Sequence, residues 1–432
     1  MILILYTTQY REGGEKFARA ARTLADDKRR QHPGATVRAV AVESKADVVA
    51  QFRAAREDGT PIAELHFIGH SGMYGPMFRT RAIPEQFSPH EWRTLDVPFA
   101  PGASAWFHAC RTARWFAPFF ARTFGVPAYG YHWYTTVSLR PDRFRWERLA
   151  TRPDPPLYVL GCPGRKSHGV LGSLSKYATG RVEAMKRFDP APPEGDPTYD
   201  SVAGLYDEVF EDITVRRDEW RWLKSRLPRE PARVLDVGCG NGALLLQMRG
   251  RLAHGTGVDA SAGMIERARM RAAGAPDLEF VRIDGPVLPF PDASFDVVTS
   301  LLSFRYLDWD PVMNEIRRVL RPGGRVLIVD MVTAPVRWRE TPLLLASKGR
   351  GYLQRFRARD FARRLRRLVT DPRWQAMLRY NPIRAEHEMT WYLESRFPGR
   401  KVEKLNVGWN ARVLAFDSGP LQPGTVAPQS YP

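Results

Sequence analysis

Val234-Leu-Asp-Val-Gly-Cys-Gly-Asn-Gly242 decides the fold of half of this chain, and Ala243-Leu-Leu-Leu-Gln follows it directly. The apolar start reads as a buried strand, the alternating glycines as a tight turn, and the leucines as the opening of a helix. Glycines at 238, 240 and 242 let the backbone turn sharply and remove Cβ atoms where a ligand must come close. A helix that begins there aims free N–H groups at the same space, which suits a carboxylate or a phosphate. Gly238-x-Gly240-x-x-Ala243 also fits the dinucleotide pattern. Asp236 argues for a different ligand. An acid two residues before the first glycine sits at the strand end, where it attracts a cationic amino group.

Working outward, 256–264 is a second short strand ending in Asp259, placed where an acid binds ribose hydroxyls. A third strand over 278–284 ends in Asp284, and 288–300 leads into a fourth. Residues 315–330 read as a helix, a Pro-Gly-Gly turn and a fifth strand. This ordered set resembles the class I S-adenosylmethionine-dependent methyltransferases, in particular the group that includes the ubiquinone/menaquinone-biosynthesis enzymes. The resemblance covers about 199–417. It implies a Rossmann-like seven-stranded sheet with S-adenosylmethionine as cofactor. It also implies that Asp236, Gly238 and Gly240 hold the methionine end, and that Asp259 accepts from the ribose hydroxyls. Ala260 and Met264 then lie against the adenine, with Asp284 and the Gly285 amide at its amino edge. Ser300 and Leu301 line the transfer site, and Tyr199 or Tyr206, in an aromatic entry segment, folds over the cofactor. The fourth strand runs into Leu301-Leu-Ser-Phe-Arg-Tyr-Leu-Asp, where no Asn-Pro-Pro-Tyr type segment stands. That weighs against an amino acceptor in DNA or protein and leaves a small molecule, methylated at oxygen, carbon or nitrogen. The one candidate base the sequence offers is His387.

The first part of the chain alternates strand and helix: strands over 2–7, 36–42, 62–68, 104–109, 128–134 and 157–160, helices over 15–30, 45–56 and 112–123. That alternation predicts a parallel sheet covered by helices on both faces. His70 follows the strand Glu64-Leu-His-Phe-Ile68, and Cys110 ends the strand Ala105-Trp-Phe-His-Ala109 just before a helix. Adjacent parallel strands bring both residues to one sheet edge, where a helix N-terminus and an imidazole would activate the thiol. The segments Phe67-Ile-Gly-His-Ser-Gly72 and Phe107-His-Ala-Cys-Arg-Thr-Ala113 resemble those of the caspase-like cysteine peptidases, over about 1–165. The resemblance implies a caspase-like α/β sandwich with a His70/Cys110 catalytic dyad and a peptide substrate. Ser71 stands where many of those proteins have glycine. A buried strand-end cysteine beside a loop histidine is the plainer alternative. Reading Gly69-His-Ser-Gly-Met73 as a hydrolase nucleophile elbow fails, because Met73 stands where the motif needs glycine.

The 432 residues favour two or three domains. The boundaries expected are a caspase-like domain over 1–186, a proline-rich linker over 187–197, a methyltransferase domain over 198–417 and a disordered tail over 418–432. A helix over 171–185 is expected to dock on the first domain, and a helical insertion over 338–396 to cover the substrate. In that insertion 350–367 carries eight arginines with Leu353, Phe356, Phe361 and Leu365 between them, and Trp374, Tyr380, His387 and Trp391 are candidate pocket residues. The net charge of +18 reads as arginine spread over the whole surface rather than as a nucleic-acid footprint. Cysteines at 110, 162 and 239 fit neither a disulfide framework nor a metal site. No apolar run is long enough to span a bilayer, so a cytoplasmic protein without a membrane partner is expected. The leading expectation is an enzyme that methylates a small molecule. The alternative is a cysteine peptidase regulated by its S-adenosylmethionine-binding domain.

Overall fold

The structure, a computed structural model, describes residues 1–9, 11, 13–145, 154–164, 169–192, 198–357 and 359–421. Backbone contacts divide it into two compact units, 1–192 and 193–427. The expected linker residues 193–197 and tail residues 422–432 lie outside the described residues, as do the side chains of 350–357.

The first unit is built from β1 (Ile2–Tyr6), α1 (Gly14–Gln31), β2 (Val37–Ala41), α2 (Lys45–Glu57), β3 (Ile62–Ile68), β4 (Phe99–His108), α3 (Phe116–Phe124), β5 (Ala128–Gly130) and β6 (Lys186–Phe188). Its sheet runs β6-β5-β4-β3-β1-β2, all parallel except β6. The central strands are apolar on both faces because helices cover both. Leu5, Phe67 and Phe107 pack with Phe52, Phe116 and Phe120 on one side, and Ile2, Ile4 and Ile68 pack on Ala20, Ala21 and Ala25 of α1 on the other. Ser44 and Asp47 form a reciprocal cap that starts α2.

Four expectations fail in this unit. Strand Tyr158–Gly161 pairs with Thr135–Ser138 in a separate ribbon, and β6, inside the stretch read as linker, forms the sheet edge instead. The prolines that suggested a linker begin only at 190, after Phe188 has packed on the core. The helix expected to follow Cys110 directly begins at Phe116, because Arg111 takes a left-handed conformation (φ 60°) and a single 3-10 turn, Thr112–Arg114, intervenes. The helix expected over 171–185 stops at Gly180 (φ 60°).

The second unit contains α4 (Ala203–Phe210), α5 (Arg217–Arg226), β7 (Ala232–Val237), α6 (Ala243–Met248), β8 (Leu252–Asp259), α7 (Ala262–Arg271), β9 (Leu278–Arg282), β10 (Phe295–Leu301), α8 (Trp309–Val319) and β11 (Leu320–Thr333). Four helices follow, α9 (Thr341–Arg357), α10 (Arg359–Thr370), α11 (Pro372–Tyr380) and α12 (Glu386–Arg396), then β12 (Glu403–Val407) and β13 (Ala411–Asp417). The seven-stranded sheet runs β9-β8-β7-β10-β11-β13-β12, with β13 antiparallel to both its neighbours. Strand order reverses between β7 and β10, which opens a crevice beyond their carboxyl ends. Helix α12 belongs to the core and not to an insertion: Met389, Tyr392 and Leu393 pack with Ile316, Ile328 and Phe416. The covering layer is therefore α9 to α11. Its α10 sets Phe361, Leu365 and Leu368 against Leu205, Val209 and Phe210 of α4, and Arg364 reaches the Glu208 carbonyl at 2.8 Å and the Glu211 carboxylate at 3.2 Å. No helix of the described residues is long and apolar enough to cross a membrane.

Phe107 is fully buried between the sheet and α3. Phe107→Ala is expected to lower the stability of the first unit by about 3–5 kcal/mol, read from urea denaturation. A loss below about 1 kcal/mol would mean that the site collapses around the deletion.

Candidate functional site

The crevice at the β7/β10 reversal is shaped by the glycine turn. Gly238 and Cys239 both donate from their backbone N–H to the Val258 carbonyl, at 2.8 and 3.0 Å, which staples the turn to β8. Ser300 Oγ and Ser303 Oγ donate to the Val237 carbonyl at 3.0 and 2.9 Å. The three glycines have different reasons. At Gly238 (φ 75°) a Cβ would stand 2.4 Å from Ser303 Oγ, and at Gly242 (φ 76°) one would stand 2.8 Å from the Phe280 ring. Both are glycines for internal packing. At Gly240 (φ 54°) the nearest neighbour of a Cβ is Tyr206 at 4.0 Å, so this glycine alone faces space that a ligand can use. The expectation of a free helix N-terminus is also corrected. Helix α6 has six residues, and its Ala243 N–H meets the Asn241 side-chain oxygen at 3.3 Å.

Asp236 is buried at the end of β7, and its one resolved partner is the Thr299 hydroxyl, which donates at 2.8 Å. Burial raises its pKa to about 7. Asp259, at the end of β8, accepts from Gly240 N and Ser261 N, each at 2.9 Å, and burial raises its pKa as well. Its carboxylate thus ties the turn to the next strand. Ala260, Asp284 and Gly285 are exposed at the ends of β8 and β9, whereas Met264 is buried. Ser300 is turned inward by its hydrogen bond to Val237, so it shapes the turn instead of lining the space beyond.

Two cavities meet here. The smaller, about 40 Å³, is lined by Asp236, Gly238, Gly240, Leu301, Leu302 and Tyr206 among others. The larger, about 620 Å³, lies under α10 and α11 and shares Tyr206, Phe210, Arg216 and Leu302 with the first. Its walls are aromatic and aliphatic, from Tyr199, Phe361, Trp374, Leu365 and Met331, with Arg216, Arg217, Arg221 and Arg305 adding positive charge. Tyr199 therefore stands over the larger cavity, where its hydroxyl donates to Tyr306 at 3.1 Å. Trp374 lines that cavity as expected. His387 is exposed and Trp391 packs beside the α12 core, and neither they nor Tyr380 are among its described lining residues.

Several residues of this site escaped the sequence reading. Asp200 accepts from Ser261 Oγ at 2.5 Å and Gly263 N at 3.0 Å, clamping the entry segment onto the β8 loop. Asn241, inside the quoted motif, donates to Asp207 at 2.8 Å. Arg305 and Asp330 form a buried ion pair, reinforced by Arg305 N on Asp330 at 2.5 Å. An acid at the end of the fifth strand was the only trace of it in the sequence.

In the first unit, Ile68 pairs with His108 across β3 and β4, so His70 and Cys110 each lie two residues beyond the same register point. Thr135 brings its N–H and its hydroxyl to 3.3 Å from the Cys110 sulfur, and Ser71 Oγ donates to the Cys110 carbonyl. His70 meets the Phe17 ring edge-on at 5.1 Å. On the same face His66 Nδ1 lies 3.1 Å from His108 Nε2, and His66 Nε2 lies 2.8 Å from Glu64. The His66 hydrogen bond and Lys28 hold the Glu64 carboxyl down to about 2, while burial pushes His108 down to about 3. Among the described residues no cluster could hold a metal ion.

Residues 235–328 match the family described as a methyltransferase domain. The demethylmenaquinone methyltransferase of Clavibacter sepedonicus is 37% identical over 142 residues, 32% of this chain and 58% of that protein. The enzyme of the same name from Thermus thermophilus is 37% identical over 145 residues, covering 32% and 66%. The 27-O-demethylrifamycin SV methyltransferase of Amycolatopsis mediterranei is 36% identical over 169 residues, covering 34% and 61%. The chain thus spans about three fifths of the length of these relatives. Its second half carries a methyltransferase domain, and the cofactor of that domain is S-adenosylmethionine.

The raised Asp236 pKa has a stability consequence. The folded chain keeps this proton to about pH 7, whereas the unfolded chain releases it near 3.8. The group's stabilising contribution is complete below about pH 4 and is lost as pH rises through about 7. Asp236→Asn is expected to flatten that decline, read from urea denaturation across pH. An unchanged slope would place the titration elsewhere.

Proposed function

We propose that the second unit transfers the methyl group of S-adenosylmethionine to a small molecule held in the larger cavity. One observation carries this reading. A buried carboxyl, Asp236, and the open position at Gly240 line a small cavity that shares its wall with a much larger aromatic one. The residues present fit the cofactor. Asp236 and Gly240 suit a cationic amino end, with Gly238 shaping the turn. Asp259 suits the ribose hydroxyls, its oxygens each having a lone pair beyond the bonds to Gly240 and Ser261. Ala260, Asp284 and Gly285 are the exposed strand-end positions for the adenine, with Met264 as its buried support. Leu302 and Tyr206 stand at the junction of the two cavities, with Leu301 on the side of the smaller and Tyr199 over the larger.

When bound, the cofactor supplies an activated methyl group on a sulfonium. The work left to the chain is to hold donor and acceptor in line and to exclude water, from which most of the acceleration of such a transfer comes. Tyr206 and Phe210 border both cavities, so they fix the approach of one ligand to the other. Arg305, anchored by Asp330, and Arg216 favour an acceptor that carries negative charge in its reactive form. The relatives are named for a demethylmenaquinone and an O-demethylated rifamycin, both small molecules. The second of these names carries an oxygen, which favours oxygen over nitrogen as the atom methylated.

A second reading concerns the first unit. The shared register of His70 and Cys110 and the five-parallel, one-antiparallel sheet support a caspase-like domain with a cysteine nucleophile. The Thr135 N–H donates to the sulfur at 3.3 Å, and the Thr135 hydroxyl lies at the same distance, so both fix where the Cys110 side chain stands.

Calorimetric titration with S-adenosylmethionine, beside NAD as a control, tests the first reading. Micromolar binding of the methyl donor alone is expected, and Asp259→Ala should abolish it. Unchanged affinity in that variant would refute the ribose assignment. Affinity should also rise between about pH 6 and 7.5 as Asp236 ionises, and stay flat in Asp236→Asn. Cys110→Ala should leave cofactor binding intact and remove any proteolysis by the full chain. Proteolysis that survives the substitution would sink the dyad.

A further inference from the structure

The first half of helix α9, residues 341–349, touches the rest of the unit along a narrow stripe. Leu344 is buried and Ser347 lines the larger cavity, while Thr341, Pro342, Leu343, Leu345, Ala346, Lys348 and Gly349 are all exposed. Most of the apolar run Pro342-Leu-Leu-Leu-Ala346 therefore meets solvent. Leu345 is 63% exposed, and Trp338, in the 3-10 turn that leads into the helix, is 79% exposed. A third large side chain joins them. Trp409, at the tight turn between β12 and β13, is 62% exposed, and its ring lies 4.3 Å from Lys348 Nζ. Helical spacing puts Leu345 and Lys348 on one side of α9, one position round from the buried pair. The charges around this patch are positive. Arg339 stacks over Trp338 at 5.2 Å, and Arg337 and Lys348 are exposed. The nearest acids are engaged inside: Glu340 is buried against Arg412 and Lys404, and Glu386 lies beside Arg337 at 3.4 Å.

We propose that this patch is a docking surface for an anionic lipid bilayer. Tryptophan rings flanked by arginine and lysine are what a headgroup boundary accommodates, since the ring buries its apolar body while the cation stays with the phosphates. The alternative occupant, a second copy of the chain, would bring together two bodies of net charge +18, and a basic patch facing itself is repelled. An anionic surface meets both the apolar side chains and the charge. The run of five apolar residues is far too short to span a bilayer, so the contact is a peripheral one. The proposal does not depend on methyl transfer. It does explain why the larger cavity, lined by Ser347 from this helix and by Asn406 near Trp409, sits where an acceptor dissolved in lipid would reach it.

Sedimentation of the full chain with vesicles tests it, using phosphatidylcholine alone and phosphatidylcholine mixed with phosphatidylglycerol. The wild type should pellet with the anionic vesicles and much less with the neutral ones. The triple variant Trp338→Ser, Leu345→Ser, Trp409→Ser should bind the anionic vesicles at least about tenfold more weakly, from the lost apolar burial alone, because its charge is unchanged. Its circular dichroism and S-adenosylmethionine affinity should match the wild type, which separates loss of docking from loss of fold or of the cofactor site. Arg339→Gln with Lys348→Gln should also weaken binding and make it less sensitive to salt. Three outcomes would overturn the proposal: a wild type that stays in the supernatant with both vesicles, a triple variant that binds equally well, or self-association without lipid that the triple variant abolishes. The last would assign the patch to a second copy.

Discussion

A carboxyl group buried at the end of the central strand, with a neutral hydroxyl as its resolved partner, is the constraint around which the second unit is organised. Ionising Asp236 in that place is costly, and burial raises its pKa to about 7 for that reason. A second acid, Asp259, stands half-buried at the end of the neighbouring strand and makes the cost higher, since the two charges repel. Asp259 ties the glycine turn to β8 and Asp236 accepts from Thr299, but neutral groups could do as much without the cost of burial. On the proposed reading, the pair is matched by a cation and a pair of hydroxyls that arrive together, which turns the cost of burying the acids into affinity.

The strand order explains why the acids can be there at all. Reversal between β7 and β10 leaves a crevice that helices on either side do not fill, and the turn after β7 must pass across it without side chains. Two of its glycines are consumed in that passage by Ser303 and Phe280, and the third is left open. The entry segment then closes from above. Asp200 bonds to the β8 loop, Asp207 to Asn241, and α10 lays its apolar side on α4. Arg364 and Arg367 hold α10 there through Glu208 and Glu211, contacts on the surface that salt weakens.

The parts legible in the sequence were those set by local rules. The glycine turn and the acids at 236 and 259 follow from spacing and periodicity, while the seven-stranded sheet around them was implied by the resemblance. What the sequence did not show depends on tertiary contact. Ser300 looks like a lining residue because it ends a strand, yet its hydroxyl turns inward to a carbonyl only the folded turn presents. Helix α12 looks like part of an insertion because it follows three others, and only its packing on β11 and β13 makes it core. In the first unit β6 hides beside prolines, and the helix after Cys110 starts late because Arg111 adopts a left-handed turn that no propensity scale assigns to arginine. The row of Glu64, His66 and His108 comes from two strands whose register has to be known first.

The positive charge illustrates the same limit. A count of +18 invites a search for a polyanion partner, yet much of the arginine is spent within the unit. Arg305 is buried on Asp330, Arg396 on Asp310 at 3.0 Å, and Arg412 on Glu340, while Arg318 bridges Glu315, Asp292 and two carbonyls. A guanidinium suits such places because its planar fork can bind a carboxylate and a backbone oxygen at once. These residues fix the positions of α8, α12 and β13 and project little field outward. The charge that matters for a partner is the remainder that stays exposed, and beside Trp338 and Trp409 part of it, Arg337, Arg339 and Lys348, stands where apolar side chains are exposed too. Composition alone cannot distinguish the two uses of arginine; the fold does so by deciding which ones find an acid.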